Sequence, residues 1–393
     1  MHVPPHGGPL HIMPIFGTRP EAVKMAPVIK ALAGDARFKV STVVTAQHRE
    51  MLDQVMKVFS LESSHDLGLM RDGQSLADLT ARSVVALDAL LQHERPHLVL
   101  VHGDTTTTFT AGLVSFYHHI PVGHVEAGLR THDRHQPFPE EMNRKLVGCL
   151  ADLHFAPTKA AADNLAEEGV AAERIFITGN SVIDALNQCL ASLKAQGITA
   201  PRSVATGRPY LLVTVHRREN WGDKLSGICR ALLRVLASHP ELDLIMPVHL
   251  NPIVRDTVHS ILGGRFGVHL LPPVDYDEMV LLMSGAYLVL TDSGGLQEEA
   301  PALGRPVLVL RNTTERPEAL AAGTVKLAGT DEESIYALTC GILENKAEYR
   351  RMAGAVNPYG DGRAAARIKA AILYSFGLDS PRPEPFDPGN TPV

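Results

Sequence analysis

The 393-residue sequence lacks the features that mark several common protein classes. Its four cysteines are widely spaced and form no CxxC pair, so we expect reduced thiols rather than a disulfide framework or a zinc site. No apolar run is long enough to span a bilayer, and the first residues do not resemble a signal peptide. The net charge of −6 disfavours nucleic acid or an anionic membrane as the main ligand. We therefore expect a cytoplasmic globular protein with neither as its partner.

Two familiar ligand-binding patterns are also missing. The first predicted strand is followed by the segment Gly17–Ala22 rather than by GxGxxG, and no acidic residue follows the second strand to hold an adenosine ribose. Both differences count against a dinucleotide cofactor. There is no HExxH motif, so we predict no metal site and no cofactor.

Short apolar runs alternate with longer amphipathic stretches along the whole chain. Alternation on this scale predicts the α/β class, with parallel sheets covered by helices on both faces. Predicted helices include Pro20–Ala33, Leu76–His93 and Ser181–Gln196. The predicted strands are His11–Phe16, Lys39–Thr45, Leu98–His102, Pro121–Val125, Leu153–Ala156, Tyr210–Val215, Asp243–Pro247, Val268–Leu271, Tyr287–Thr291 and Pro306–Leu310.

The chain is too long for one ordinary core, and its strand–helix rhythm restarts after a Gly-, Pro-, Ser- and Thr-containing segment near residues 178–208. We predict two doubly wound Rossmann-like domains facing each other across a cleft, at residues 10–180 and 181–360. A helix at 361–379 is expected to pack back on the first domain. Residues 1–9 and the Pro-rich residues 380–393 are expected to be flexible tails. Ligands of such sheets bind outside the carboxyl ends of the strands.

Residues 288–300 combine a buried strand, a turn of small residues and a helix start. Free N–H groups and the dipole at a helix start attract phosphate, and Gly294 and Gly295 let the backbone approach it closely. Glu298 and Glu299 lie about one turn into the helix, where carboxylates can accept hydrogen bonds from sugar hydroxyls. The pattern indicates a nucleotide diphosphate or nucleotide sugar. An ordinary strand-to-helix turn with an N-cap serine would look the same.

Acidic residues follow apolar segments in the first predicted domain. Asp104 and Glu126 come after strands, and Glu140 lies in a Pro-containing loop. Carboxylates that share a cleft drive their pKa values apart and so supply one acid and one base. A helix cap or a salt bridge would equally explain any single one. His216 ends the first strand of the second domain and is an acid/base candidate; His249 is a weaker one.

Basic residues stand near the starts of two predicted helices. Arg19 and Lys24 form a plausible diphosphate grip, although exposed lysine and arginine are common on any surface. Arg316 either reaches the ligand or pairs with Glu315 or Glu318. These residues are therefore candidates for anion binding rather than assigned ligands.

Several motifs, taken together and in order, resemble the non-hydrolysing bacterial UDP-N-acetylglucosamine 2-epimerase family. The resemblance runs from about residue 11 to the helix before residue 380. The motifs are Phe16–Ala22, Thr45–Arg49, His102–Thr108, Gly123–Arg130, Pro139–Glu141, His216–Glu219, Thr291–Gly295 and Asn357–Gly360.

The resemblance implies a glycosyltransferase-B-like fold and a specific reaction. Members interconvert UDP-GlcNAc and UDP-ManNAc by eliminating UDP to leave 2-acetamidoglucal and then adding it back, without metal or nicotinamide. The product would supply ManNAc for cell-surface polysaccharide, and a homodimer is expected. By carry-over, Asp104, Glu126 and Glu140 are the acid/base set and His216 assists the leaving phosphate. The remaining expected substrate contacts are Arg19 and Lys24 with phosphate or a carboxylate, Ser293, Gly294 and Gly295 with the diphosphate, Glu299 with the ribose, Arg316 with the sugar, and Val274 and Met279 with the uracil.

Bacterial members of the family are often activated by UDP-GlcNAc at a second site. Contributors to such a site here would be Gln47, Glu140, Arg217 and His249. The family pattern has Gln near Glu50 and Arg near Gly73, and these departures lead us to expect weakened activation.

Other functions remain compatible with the sequence. A hydrolysing epimerase on the same fold would release UDP and free ManNAc. A glycosyltransferase would need an acceptor site that the sequence does not identify. A UDP-GlcNAc-binding sensor would have no use for the acid/base set.

Overall fold

A computed structural model of the chain describes residues 8–45, 49–71, 73–204, 207–314, 316–378 and 381–390. The described residues form two compact units. The first runs to Gln188 and resumes at Gly360–Asp387, and the second covers Cys189–Tyr359 together with Pro388–Asn390. The first boundary falls within a helix rather than at the predicted residue 180. Among the described residues, no helix combines the length and apolar character that a membrane crossing requires.

The first unit is built on a parallel sheet with the strand order β4-β3-β1-β5-β6-β7-β8, and β2 pairs beside β1. Its strands are β1 Leu10–Phe16, β2 Phe38–Val40, β3 Val43–Val44, β4 His65–Asp66, β5 Leu98–His102, β6 Val122–Val125, β7 Leu153–Ala156 and β8 Ile175–Ile177. Its helices up to the boundary are α1 Arg19–Ala33, α2 Arg49–Val58, α3 Leu76–Glu94, α4 Thr106–Tyr117, α5 Glu140–Leu150, α6 Lys159–Glu167 and α7 Ser181–Ala195.

The second unit has a parallel sheet with the strand order β11-β10-β9-β12-β13-β14, the order of a Rossmann fold. Its strands are β9 Tyr210–Thr214, β10 Asp243–Pro247, β11 Val268–Leu271, β12 Leu288–Thr291, β13 Val307–Val309 and β14 Val325–Leu327. Its helices are α8 Asp223–Ser238, α9 Pro252–Leu262, α10 Tyr276–Gly285, α11 Gly294–Ala302, α12 Pro317–Ala322, α13 Glu332–Glu344 and α14 Lys346–Ala353. The last helix, α15 Ala364–Ser375, belongs to the first unit.

The strand sequences explain why both sheets are buried. The central strands β1, β5, β9 and β12 are buried along their whole length, as expected for strands covered by helices on both faces. Strand order reverses between β1 and β5 in the first unit and between β9 and β12 in the second. Loops after these strands therefore lie at topological switch points, where such folds bind ligands. The predicted α/β class with two Rossmann-like units is confirmed.

The C-terminal segment differs from its prediction. Residues 381–387 were expected to belong to a flexible tail, yet the Phe386 side chain is only 4% exposed. The Phe386 N–H donates to the Ile177 carbonyl at 2.8 Å, which extends the edge beyond β8. The Arg382 guanidinium lies 4.5 Å from the centre of the Phe176 ring and donates to the Ile175 carbonyl. One aromatic and one arginine thus anchor a segment whose proline content alone suggested disorder.

The loop after β6 requires glycine at position 128. Gly128 has a φ of 89°, and a Cβ there would lie 2.1 Å from the Ala161 carbonyl oxygen. Gly169, in the same unit, has the same φ of 89° but open space around its Cβ position. We expect Gly169→Ala to lower the free energy of unfolding by roughly 1–3 kcal/mol, the cost of backbone strain. Gly128→Ala should cost about 1–3 kcal/mol more because of overlap with the Ala161 backbone.

Urea unfolding followed by far-UV circular dichroism measures both variants against the unchanged chain. Gly169→Ala is the matched control because it shares the backbone angle and lacks the clash. Equal losses in the two variants would contradict the packing argument.

Candidate active site

The two loops at the switch point of the first unit are tied together by Glu21. This carboxylate is 2% exposed and accepts hydrogen bonds from the Gly17 and Thr18 N–H groups at 3.0 and 2.7 Å. It also accepts one from the Thr105 hydroxyl at 2.7 Å. Burial raises the pKa of Glu21, and this effect exceeds that of the hydrogen bonds, which lower the pKa. Thr18 and Glu21 form a capping box, so α1 and the loop after β5 share one anchor.

Asp104 is the second residue after the end of β5. It follows Gly103, whose φ of 65° lets the chain turn sharply. The Asp104 carboxylate forms an ion pair with Arg144, whose Nε donates at 3.1 Å. The Asn143 amide holds the Asp104 carbonyl oxygen at 2.9 Å. Burial raises the pKa of Asp104, and neighbouring Glu126 adds to this, while Arg144 opposes it. Asp104 is thus a fixed carboxyl group that is easier to protonate than an ordinary aspartate.

Glu126 stands directly beyond β6, the next strand along the sheet. Its carboxylate forms an ion pair with Lys24 and accepts a hydrogen bond from the Asn180 amide at 2.8 Å. The buried His102 ring lies beside it, with Nε2 at 4.0 Å from Glu126 Oε2. Burial lowers the pKa of His102 to about 4, so this ring is neutral near pH 7. Glu126 has a φ of 61°, an unfavourable angle for a side chain with a Cβ, which is typical of functional sites.

Glu140 is the first residue of α5, and its side chain makes no hydrogen bond or ion pair with the residues that the structure describes. Its neighbour Glu141 is fully buried and accepts hydrogen bonds from the Thr131 and His132 N–H groups. Asn143, one turn after Glu140, contacts Asp104, so the start of α5 lies beside that residue. Of the adjacent glutamates, Glu141 is structural and Glu140 remains a candidate for chemistry.

The two basic residues of α1 differ in their surroundings. Arg19 is the first residue of the helix and is half-buried, consistent with a place beside a bound anion. Lys24 instead pairs with Glu126. This ion pair brings Lys24 to the carboxylate after β6. The joint diphosphate grip of Arg19 and Lys24 stays a prediction.

In the second unit, Asp292 holds His216. Asp292 is fully buried at the end of β12, and its Oδ1 lies 2.9 Å from His216 Nδ1. It also accepts hydrogen bonds from the His216 and Arg217 N–H groups and from the Asn220 amide. Burial opposes ionisation of Asp292, but these donors outweigh it and hold its pKa below the usual range. Because Nδ1 is engaged, His216 keeps Nε2 for a ligand.

The start of α11 is shaped for an anion. Ser293 is the N-cap residue, but its side chain makes no capping hydrogen bond, which leaves backbone donors at the helix start. A Cβ added to Gly294 would lie 4.0 Å from Arg217 Nη2, so the Arg217 guanidinium is close to this turn. Arg217 was predicted as part of a regulatory site. The structure places it beside the predicted diphosphate residues.

Glu298 and Glu299 are adjacent on α11 and contact different partners. Glu299 accepts a hydrogen bond from the Tyr276 hydroxyl at 2.9 Å, so the start of α10 lies next to it. Val274 precedes α10 and Met279 lies within it; both are half-buried. The predicted ribose and uracil residues are therefore neighbours.

Arg316 forms an ion pair with the buried carboxylate of Glu298, one residue before Glu299. Pairing with Glu318 or with Glu315 was the alternative in the sequence, and Glu315 lies outside the described residues. Arg316 is thus held beside α11 by a partner that was not predicted.

Of the predicted regulatory residues, only some lie within the part of the chain that the structure describes. His249 is exposed, and its ring stacks on that of His216 with centroids 6.3 Å apart. Gln47 lies outside the described residues. His249 is therefore next to the site already described in this unit.

Residues that hold the site were missed by the sequence analysis. Arg144, Asn180 and Asp292 each fix a predicted functional side chain. Arg144 and Asn180 act on carboxylates 40 and 54 residues away, which no local pattern indicates. Asp292 had a local signal, since an acidic residue directly after a buried strand cannot be left without partners.

Comparison with known proteins extends these observations. A family model described as UDP-N-acetylglucosamine 2-epimerase matches residues 30–373. The UDP-N-acetylglucosamine 2-epimerase of Escherichia coli (strain K12) is 50% identical over 369 residues, covering 92% of this chain and 98% of that protein.

Solved structures agree. The UDP-GlcNAc 2-epimerase of Neisseria meningitidis, bound to UDP-GlcNAc, has a TM-score of 0.86 and 44% identity, over 93% of this chain and 100% of that one. The S. aureus MnaA co-structure with UDP has a TM-score of 0.85 and 44% identity, over 96% of this chain and 100% of that one. The chain therefore belongs to the UDP-N-acetylglucosamine 2-epimerase family.

Proposed function

We propose that the protein interconverts UDP-GlcNAc and UDP-ManNAc by the non-hydrolysing route. The observation that carries the proposal is the pair of carboxylates after β5 and β6, each matched with a cation, in a chain of this family. In the elimination, a base removes the C2 proton, the C1–O bond to UDP breaks and a C1–C2 double bond forms in 2-acetamidoglucal. Re-addition of UDP with a proton on the opposite face of C2 completes the inversion.

We assign the acid/base work to Asp104, Glu126 and Glu140. Two groups must differ in protonation at one pH if one removes and the other delivers a proton. Burial raises the pKa of Asp104, which supports it as the protonated member. Lys24 and Arg144 compensate the negative charge that clustering carboxylates would otherwise build up.

We assign the UDP moiety to the second unit. The N-terminus of α11, with Gly294, Gly295 and Arg217 beside it, offers backbone donors and a guanidinium for the diphosphate. Glu299 would accept a hydrogen bond from the ribose. His216, oriented by Asp292, would donate from Nε2 to the departing phosphate.

Proton NMR of the purified chain with UDP-GlcNAc in D2O tests this route. We expect UDP-ManNAc to appear with deuterium at C2, because the proton passes through an acid/base group in exchange with solvent. Free ManNAc accumulating with UDP would move the protein to the hydrolysing class. If UDP-GlcNAc binds but neither UDP-ManNAc nor free ManNAc appears, the protein is a UDP-GlcNAc sensor and the acid/base roles are refuted.

A further inference from the structure

A cluster of three metal-ligating side chains lies in the second unit, outside the residues assigned above. His239 follows the last residue of α8, and Cys340 and Glu344 lie one turn apart on α13. One ligand atom from each side chain lies within 4.8 Å of the other two. His239 Nε2 is 3.7 Å from Glu344 Oε1. The i, i+4 spacing puts the thiol and the carboxylate on one face of α13, opposite the imidazole.

The His239 ring is oriented as a metal ligand would be. Its Nε2 atom is buried and has no hydrogen-bond partner among the described residues. Its Nδ1 atom lies 3.4 Å from Glu241 Oε1. Histidines that bind metals usually direct their second ring nitrogen at a carboxylate, which fixes the tautomer. A buried nitrogen without a partner is unfavourable, and a cation at this position would remove that cost.

The donor set selects the ion. We propose that His239, Cys340 and Glu344 form a zinc site. A thiolate, an imidazole and a carboxylate are the ligand types of protein-bound Zn²⁺, and the two anionic ligands balance its charge. Zinc would leave its fourth position to water.

Binding requires only a small contraction of the cluster. Bond lengths of about 2.0–2.3 Å place tetrahedral ligands closer together than the present separations. Glu344 is 69% exposed and can move toward the ion, whereas Cys340 is 8% exposed and stays in place. Burial raises the pKa of the Cys340 thiol, so zinc would bind this side chain with release of its proton. The Tyr336 hydroxyl contacts Cys340 and lies 2.9 Å from the Ser238 hydroxyl. The ion would join the end of α8 to α13.

Cobalt titration of the chelator-treated full chain tests the site. We expect one equivalent of Co²⁺ to give thiolate-to-cobalt charge-transfer absorption and the intense d–d bands of tetrahedral coordination, and Zn²⁺ to displace it. Cys340→Ser should abolish the charge-transfer band. Glu344→Gln, at an exposed position that does not endanger folding, should weaken zinc binding at least roughly 10- to 100-fold.

Cys149→Ser is the matched control, because it removes the exposed cysteine of the first unit. Its cobalt spectrum should equal that of the unchanged chain. Zinc should raise the melting temperature of the unchanged chain and of this control, but not that of Cys340→Ser. Three results would each overturn the proposal. They are absence of the thiolate band in the unchanged chain, loss of that band in Cys149→Ser alone, and unchanged zinc affinity in Glu344→Gln.

Discussion

Glu126→Gln and Asp104→Asn should each lower the rate of UDP-GlcNAc epimerisation by roughly 100- to 10,000-fold, the contribution expected of a general acid or base. Both substitutions keep the shape of the side chain and remove its ability to exchange a proton. In Glu126→Gln the positive φ of residue 126 is retained, so backbone strain does not change. The measurement is kcat by coupled assay, with deuterium incorporation at C2 as a second readout. If the carboxylates act at C2, kcat and deuterium incorporation should fall together in each variant.

Glu167→Gln provides the control for this pair. Glu167 is an exposed residue at the end of α6 in the same unit, and its substitution makes the same chemical change outside the cluster. We expect its kcat to equal that of the unchanged chain. If a cluster variant that melts normally retains a kcat within threefold of the control, the assignment of acid/base roles fails.

Asp292→Asn should lower kcat by roughly 100- to 10,000-fold because His216 would lose the partner that fixes its tautomer. Since we propose that UDP binds mainly at α11, KM should change much less than kcat. The substitution should also cost about 1–3 kcal/mol of stability, since an amide cannot accept all the hydrogen bonds that this carboxylate receives.

The pH dependence of that stability loss separates charge from packing. The pKa of Asp292 is held below its usual range, so its ionised form stabilises the fold above the unfolded-state pKa of about 3.9. This stabilisation is lost as the pH falls through the folded-state pKa. The gap in unfolding free energy between the unchanged chain and Asp292→Asn should therefore be largest near neutral pH and narrow in acid.

Asp243→Asn is the control for Asp292→Asn. Asp243 is also a buried aspartate beside a histidine, with Oδ2 at 3.3 Å from His269 Nε2, but it lies on β10 away from the switch point. It should lose stability and keep its kcat. A similar loss of kcat in both variants would mean that Asp292 acts through stability alone.

Much of the fold was predictable because long apolar strands carry a strong signal. The strands Leu98–His102 and Asp243–Pro247 were predicted to the residue. The predicted strand Lys39–Thr45 is instead divided at Ser41, whose hydroxyl lies 2.8 Å from His11 Nε2. Strands of two or three residues, such as His65–Asp66 and Ile175–Ile177, were missed because a run this short cannot display hydrophobic periodicity.

The candidate site was predictable in its reactive groups and not in their support. Asp104 and Glu126 follow strands of one parallel sheet, which gathers such positions at one edge, and His216 follows a strand of the other sheet. Their partners come from separate elements, as Asn180 does for Glu126. Which arginine or amide meets which carboxylate depends on how helices pack. That information lies in the tertiary structure, and a pattern of neighbouring residues does not contain it.

The positive φ of Glu126 has a consequence for engineering. Glycine tolerates that backbone angle without the cost that glutamate incurs there, which is of order 1–2 kcal/mol. Glu126→Gly would relieve that strain, but it would also remove the carboxylate that Lys24 and the Asn180 amide contact. The two effects on stability oppose each other, and the proposed catalytic group is lost in either case, so variants at this residue should be selected for turnover as well as for melting temperature.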